Sequence, residues 1–185
     1  MSADAIATVK PMPAPLDPPL GCDDHVTGPA DAPFELVMYG DFQCPYCVAS
    51  MSILRRVRER LDDRLRFAFR HFPLPDHPDA DNAAQAAEAA AAQGAFWPMY
   101  NALYDARGRL SLDDLARHAA AIGLDGERVR REVLEGVHAD RVARDADSAR
   151  AAGVTGTPAF FVNGVLHEGS FDAGSLVEAL AAPVA

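Results

Sequence analysis

The sequence predicts an α/β fold in which a β-α-β unit and a β-β-α unit are separated by a block of helices. Three patterns predict this order. Two apolar segments of strand length flank an amphipathic helix between residues 34 and 71, helical patterns alone fill residues 77–152, and a hairpin and a helix follow within 159–181. A strand–helix–strand unit implies that its two strands lie parallel in one sheet. A chain of 185 residues suits one such domain with an insertion.

The N-terminal part of the pattern begins with a leader rich in Pro, Ala and Asp over residues 1–24, which is predicted to be disordered or loosely docked. The apolar run 34–39 then has the length and composition of a strand buried on both faces. A helix follows, because apolar residues recur at three- and four-residue spacing. Residues 65–71 form the next predicted strand. The apolar positions of the helix are Val48, Met51, Leu54, Val57 and Leu61.

Residues 77–152 are predicted to form an inserted, all-helical subdomain. Helix starts are indicated by Ser111 and by Asp125, which are residue types that accept hydrogen bonds from free N–H groups at a helix N-terminus. Residues 25–76 and 153–185 are assigned to the α/β domain itself. In its second half, Asn163-Gly164 predicts a two-residue hairpin turn, and a last helix is expected over about 172–181.

Composition and charge exclude several classes of function. The formal net charge of −10 argues against a nucleic-acid partner, which requires clustered Lys and Arg, and against attraction to an anionic membrane. The longest apolar tract, 83–92, is interrupted by Gln85 and Glu88, so no membrane insertion is expected. Residues 1–20 contain no secretory signal pattern, which predicts a cytoplasmic location. A processed form of an exported protein would look similar and would be periplasmic or extracytoplasmic.

The chemistry is predicted to lie in the segment Cys44-Pro45-Tyr46-Cys47. A thiolate is the nucleophile of disulfide exchange, and a helix N-terminus lowers the pKa of a thiol through its N–H groups and dipole. Cys44 falls at such an N-terminus, and Cys47 lies one turn inside the helix, where it can reach the Cys44 sulfur. A structural zinc site needs about four ligands, and no second cysteine pair exists, so no metal is expected.

A second motif, Thr157-Pro158, stands directly before an apolar strand. A proline in this position is a candidate for a cis peptide bond. The position of the motif in the chain supports a functional interpretation, since a CxxC pair follows the first strand of the β-α-β unit and Thr-Pro precedes the β-β-α unit.

With these two motifs in this order, the sequence resembles the thioredoxin superfamily, and in particular its DsbA-like branch, from about residue 24 to residue 180. The resemblance implies that Cys44 attacks a disulfide and Cys47 resolves the mixed disulfide. It also implies that Thr157 and Pro158 hold the partner chain, with Pro45 and Tyr46 as further substrate-binding residues. Expected partners are protein thiols and disulfides, with a redox recycling partner or glutathione. No cofactor is implied beyond the cysteine pair, although glutathione could be a co-substrate.

Departures from the family pattern leave alternatives open. DsbA has His where this chain has Tyr46, and Cys-Pro-Tyr-Cys is a pattern of glutaredoxins, so a glutathione-dependent reductase is one alternative. A redox-sensing or interaction domain with little turnover is another. Thioredoxin-like enzymes often bury an acid at the position of Met38; here Asp41 and Glu35 are the nearest acids that could relay a proton. Cys22 is expected to be an inert thiol rather than a third redox partner.

Overall fold

The computed structural model describes residues 14–183, and its centre is a five-stranded sheet in the order β1-β3-β2-β4-β5. β2 lies parallel to β3, while the pairs β1–β3, β2–β4 and β4–β5 are antiparallel. The predicted arrangement of β-α-β and β-β-α units is therefore confirmed. The strands are β1 (His25–Thr27), β2 (Phe34–Gly40), β3 (Leu65–His71), β4 (Ala159–Val162) and β5 (Val165–Leu166).

Seven helices accompany the sheet within the described residues, and five of them lie between β3 and β4. This is the helical insertion expected from the sequence, although its division from the rest of the chain at 77 and 153 stays a prediction. None of the helices in this part of the chain combines the length and apolarity that a bilayer crossing requires. The helices are α1 (Pro45–Leu61), α2 (Ala80–Ala91), α3 (Phe96–Asp105), α4 (Leu112–Ala121), α5 (Gly126–Leu134), α6 (Ala139–Ala151) and α7 (Ala173–Ala181).

The central strand β2 is buried on both faces, which explains its continuous apolar sequence. Leu36 and Met38 face a large core cluster to which α1, α3 and α7 contribute. Val37 and Tyr39 face the other way, into a smaller cluster closed by α6. Because the carboxyl end of β2 leads directly into α1, this strand fixes where the first turn of α1 begins.

Residues 14–24 of the leader are ordered against the sheet, so this part of the leader is docked and not disordered. Pro15 forms a β-bridge with Val165, and Leu16 is 7% exposed in the smaller core cluster. The free edge of β5 and the buried guanidinium of Arg70 supply hydrogen-bond partners for this segment, and composition alone does not reveal them. The rest of that prediction, for residues 1–13, lies outside the described residues.

Candidate active site

Cys44 occupies the N-cap position of α1. Its backbone is extended, with φ −68° and ψ 121°, and the helix starts at Pro45, where the missing N–H of proline costs no hydrogen bond. The Cys44 carbonyl accepts the first helical bond from Val48 at 3.0 Å. The thiol therefore stands where the free N–H groups and the positive end of the helix dipole favour a negative charge.

The Cys44 thiol is strongly acidic for physical reasons that the structure shows. A hydrogen bond from the Cys47 thiol is the largest cause that lowers the pKa of Cys44, to about 5, against the opposing effect of burial. Thr157 and the backbone N–H groups of Cys47 and Tyr46 lower this pKa further. At neutral pH, Cys44 is consequently a thiolate, the reactive form in disulfide exchange.

Cys47 has the opposite character. It is fully buried, and burial raises the pKa of its thiol far above the ordinary value, with a further increase from the neighbouring Cys44. Both thiols are free in this structure. One sulfur is thus suited to act as a nucleophile, and the other holds the proton that stabilises it.

The loop before β4 brings Thr157 and Pro158 against the cysteine pair. The Thr157–Pro158 peptide bond is cis, and the Cys44 Sγ lies 3.4 Å from the carbonyl oxygen of Thr157. The Thr157 Oγ1 is buried. A cleft of about 220 Å³ continues from Pro158 along the loop to Phe171, whose ring is 37% exposed.

Pro45 and Tyr46 lie on the surface of the same site. Both are exposed, and Tyr46 is the most exposed large apolar side chain among the described residues, at 69%. The structure therefore brings together all six residues that the sequence analysis named, two as buried sulfurs, two in the adjacent loop and two on the outer rim.

Asp41 is a hydrogen-bond hub behind Cys44. Its Oδ1 accepts from the backbone N–H groups of Gln43 and Cys44 at 2.7 and 3.2 Å, and its Oδ2 accepts from Leu74 N at 2.9 Å and His77 Nδ1 at 2.7 Å. Its side chain is fully buried. Of the two acids named from the sequence, Asp41 is the one that reaches the site.

The other acid, Glu35, lies near the opposite end of β2 and is 3.8 Å from Arg66. Met38 is fully buried in the core. Cys22 is exposed in the leader, with Asp23 as its hydrogen-bond partner at 3.7 Å. These residues do not take part in the contacts of Cys44 described above.

His77 is the site residue that the sequence analysis missed. The hydrogen bond from His77 to Asp41 raises the pKa of the imidazole, and burial opposes this only in part. A second pair joins the same two loops, because Gln43 Oε1 accepts from Asp79 N at 2.8 Å and Gln43 Nε2 donates to Asp79 Oδ2 at 3.3 Å. The 41–44 loop is therefore fixed to the segment that leads into α2.

Among the described residues, one cluster of side chains could bind a metal ion, and it does not include the cysteines. His25 Nε2 and His71 Nε2 each lie 2.8 Å from Glu88 Oε1. Burial opposes ionisation of Glu88, but the two histidine hydrogen bonds lower the pKa of its carboxyl well below the ordinary value. The guanidinium of Arg141 is 4.0 Å from the same oxygen, so the carboxylate already has a cationic partner.

Comparison with known proteins agrees with this geometry. A thioredoxin family model matches residues 22–182. The Na(+)/H(+) antiporter NhaA 1 of Mycolicibacterium vanbaalenii is 43% identical over 164 residues, which are 86% of this chain and 26% of that protein. NhaA 1 of Salinispora arenicola is 46% identical over 173 residues, 92% of this chain and 25% of that protein. The chain thus spans about a quarter of the length of these curated relatives.

Several solved structures have a similar fold. A thioredoxin-like oxidoreductase from Silicibacter pomeroyi has a TM-score of 0.77 at 28% identity, covering 86% of this chain and 91% of that chain. Oxidised BdbD from Bacillus subtilis has a TM-score of 0.76 at 21% identity, covering 84% of this chain and 89% of that chain. Wolbachia pipientis α-DsbA1 has a TM-score of 0.73 at 22% identity, covering 88% of this chain and 90% of that chain. The fold is that of DsbA-like proteins.

Proposed function

The chain belongs to the thioredoxin family, and on that premise we propose that it is a thiol–disulfide oxidoreductase that exchanges disulfides with protein substrates. The main support is the asymmetry between the two sulfurs. Cys44 is a thiolate with a pKa of about 5 at a helix N-terminus, and Cys47 is a buried thiol one turn away. A pair of this kind has one group ready to attack and a second group ready to resolve.

The proposed disulfide exchange has two steps, each of which forms one S–S bond and breaks another. In the reduced protein, the Cys44 thiolate attacks a substrate disulfide, the substrate S–S bond breaks, and one substrate thiolate leaves. Cys47 then loses its proton and attacks the Cys44 sulfur, which releases the second substrate thiolate and leaves a Cys44–Cys47 disulfide. Two electrons pass to the substrate, and the reverse sequence oxidises a substrate dithiol.

The partner chain is proposed to bind along the loop of Thr157 and Pro158. The backbone of this loop is beside the Cys44 sulfur, and the adjacent cleft ends at the exposed ring of Phe171. Pro45 and Tyr46, which are exposed in the first turn of α1, would contact the same chain. An extended peptide suits this surface because its backbone can pair with the loop while its side chains enter the cleft.

The experiment that tests the proposal is a measurement of the reduction potential of the cysteine pair, by equilibration in glutathione buffers and counting of free thiols by mass. Thioredoxin has a pKa near 7 and a potential near −270 mV, and DsbA has a pKa near 3.5 and a potential near −120 mV. With a pKa of about 5 for Cys44, we expect a potential between these two values. Absence of a disulfide between Cys44 and Cys47 at every poise would contradict the proposal.

The assignment of roles is tested with single cysteine variants in a Cys22→Ser background. Cys47→Ala should accumulate a mixed disulfide between Cys44 and a substrate protein, because the resolving thiol is absent. Cys44→Ala should form none, because the buried Cys47 stays protonated. Trapping by Cys44→Ala at a comparable rate would reverse the proposed roles.

A glutathione-dependent reductase is a second candidate, favoured by the Cys-Pro-Tyr-Cys sequence. This function requires only the nucleophile for its monothiol route. Cys47→Ser should then retain deglutathionylation of a protein substrate, with saturation by glutathione, whereas the proposed exchange of protein disulfides should be lost.

A redox-sensing domain is a third candidate, favoured by the identity of 43–46% to segments of Na(+)/H(+) antiporters. In this case the Cys44–Cys47 disulfide would form reversibly, turnover would be negligible, and the redox state would alter the activity of an attached or docked transporter. Insulin reduction distinguishes a sensor from the proposed oxidoreductase. An oxidoreductase reduces insulin disulfides over repeated turnovers, whereas a sensor reduces about one disulfide per protein molecule. The cytoplasmic location stays a prediction.

A further inference from the structure

Resting on the proposed function, we infer that His77 is a positioning residue of the active site. As an imidazolium it neutralises the buried Asp41 carboxylate behind Cys44, and so it stabilises the Cys44 thiolate and the reduced form of the Cys44–Cys47 pair. This assigns to a loop residue of the β3–α2 connection an electrostatic task inside the redox site.

The first support is geometric. The Asp41 carboxylate is fully buried, and the N–H of Cys44 is one of its donors at 3.2 Å, so the carboxylate lies directly behind the residue that becomes a thiolate. A thiolate and a carboxylate on two residues joined by a hydrogen bond oppose each other in a region of low dielectric constant. The His77 Nδ1, 2.7 Å from Oδ2, is the one ionisable side chain hydrogen-bonded to this carboxylate among the described residues.

The second support is the charge state of His77. Its hydrogen bond to Asp41 raises the pKa of the imidazole, and the negative charges of Asp41, Cys44 and Asp76 raise it further, while burial opposes them. Asp81 of α2 and Arg150 of α6 line the cleft beside His77, and Arg150 is 2.7 Å from Asp147. With its pKa raised from 6.5, the imidazole retains more positive charge at neutral pH than an ordinary histidine.

The third support is that the β3–α2 connection, which carries His77, is held in place by hydrogen bonds. Asp41 also accepts from Leu74 N, and Gln43 exchanges two hydrogen bonds with Asp79. His77 is held between these two anchors, with 22% of its side chain exposed. The imidazole is therefore fixed against Asp41, and protons from solvent can still reach it.

The test compares His77→Asn with the unaltered protein. Asn can donate an amide N–H to Asp41 in place of Nδ1–H, but it cannot become a cation, so the variant removes charge while retaining a hydrogen bond. The measured quantities are the pH midpoint of thiolate absorbance at 240 nm in the reduced protein and the equilibrium constant with glutathione. His118→Asn is the matched control, because His118 lies on α4 and its ring nitrogen bonds the carbonyl of Arg109.

We expect His77→Asn to lower the ratio of thiolate to thiol at a given pH by threefold to tenfold and to change the glutathione equilibrium by the same factor toward the disulfide. That factor corresponds to roughly 14 to 30 mV. His118→Asn should leave both quantities unchanged. If His77→Asn destabilises the protein, His77→Gln gives the same comparison, since its amide is also uncharged.

An unchanged midpoint in folded His77→Asn would overturn the inference, and the proposed function would stand as long as the Cys44–Cys47 disulfide still forms. Failure of the unaltered protein to form that disulfide would instead overturn the proposed function. The thiolate titration of the reduced protein would remain a valid test of His77 in that case. A loss of stability without a change in midpoint would show that His77 has only a structural role.

Discussion

The single proton shared by the two active-site sulfurs governs stability as well as reactivity. The pKa of Cys44 is lowered from 9.0 to about 5 in the folded protein. A group with a lowered pKa contributes stability that is complete above its unfolded value, and this contribution is lost as the pH falls through the folded value. For Cys44 the window runs from about pH 9 down to about pH 5, and the contribution at pH 7 is about 3 kcal/mol.

The corresponding prediction concerns the reduced protein. Its free energy of unfolding relative to that of Cys44→Ala should decrease by about 3 kcal/mol between pH 7 and pH 4, since the thiolate is protonated over this range. Urea denaturation at fixed pH under a reducing agent measures this difference. The comparison cancels the pH dependence of groups that do not interact with Cys44. His77 does not cancel in full, because the charge of Cys44 contributes to the raised pKa of its imidazole. A difference independent of pH would show that Cys44 is a thiol in the folded state.

At the residue scale, local motifs identified the acidic thiol Cys44 and the loop that lies beside it, and they did not identify His77. Cys44 and Cys47 are three residues apart, and Pro158 stands directly before a recognisable strand, so each could be identified from a short stretch of sequence. His77 acts through Asp41, which is 36 residues away. The contact exists only because β3 returns the chain to the end of β2, and no residue pattern near His77 indicates this.

At the level of elements, the end of β2 is packed so closely that only glycine fits. A Cβ at Gly40 would lie 2.5 Å from Cε2 of Phe69, 2.9 Å from the hydroxyl of Tyr104 and 3.0 Å from Cε of Met38. Gly40 also pairs with His71 on β3 and immediately precedes the loop of Asp41. The close packing fixes the point at which the strand turns toward α1.

Gly40→Ala should therefore destabilise the protein by about 1–3 kcal/mol, which is the usual cost of extra volume in a packed core. Displacement of the strand end should also slow alkylation of Cys44 by iodoacetamide, because the N–H groups around its sulfur would shift. Thermal unfolding and the alkylation rate at pH 7 measure the two effects. Gly21→Ala is the control, since a Cβ there meets no atom within 4 Å. Equal stability of the two variants would contradict the packing argument.

Elements with strong local signals were predicted, and an element that depends on distant partners was not. The N-caps Ser111 and Asp125 each accept a hydrogen bond from a helical N–H group, as their residue types and positions indicated. The last helix begins after Asp172, close to its predicted start. The strand β1 has only three residues, which is too short for a periodic pattern, and it forms by pairing with β3. Strands of this kind are defined by their neighbour and not by their own sequence.

At the level of the whole molecule, Arg70 joins the leader to the centre of the sheet. Its guanidinium donates to both carboxylate oxygens of Asp24 at 2.7 and 2.9 Å, to the carbonyl of Pro18 at 2.9 Å and to the hydroxyl of Tyr39 at 3.0 Å. The side chains of Arg70 and Asp24 are 3% and 8% exposed. A buried charge pair of this kind is sensitive to the loss of one member, because the other is left uncompensated.

We predict that Arg70→Met destabilises the protein by about 3–5 kcal/mol, because Asp24 would remain buried without its cation and the Pro18 carbonyl would lose its donor. Chemical denaturation measures this loss, and hydrogen exchange should show reduced protection at residues 14–24 before the rest of the fold opens. Arg117→Met is the control: Arg117 pairs with Asp114 but is 73% exposed, so its removal should cost no more than about 1 kcal/mol. If both variants lose the same small amount, then β5 and the smaller core cluster hold the leader in place, and Arg70 contributes little to its docking.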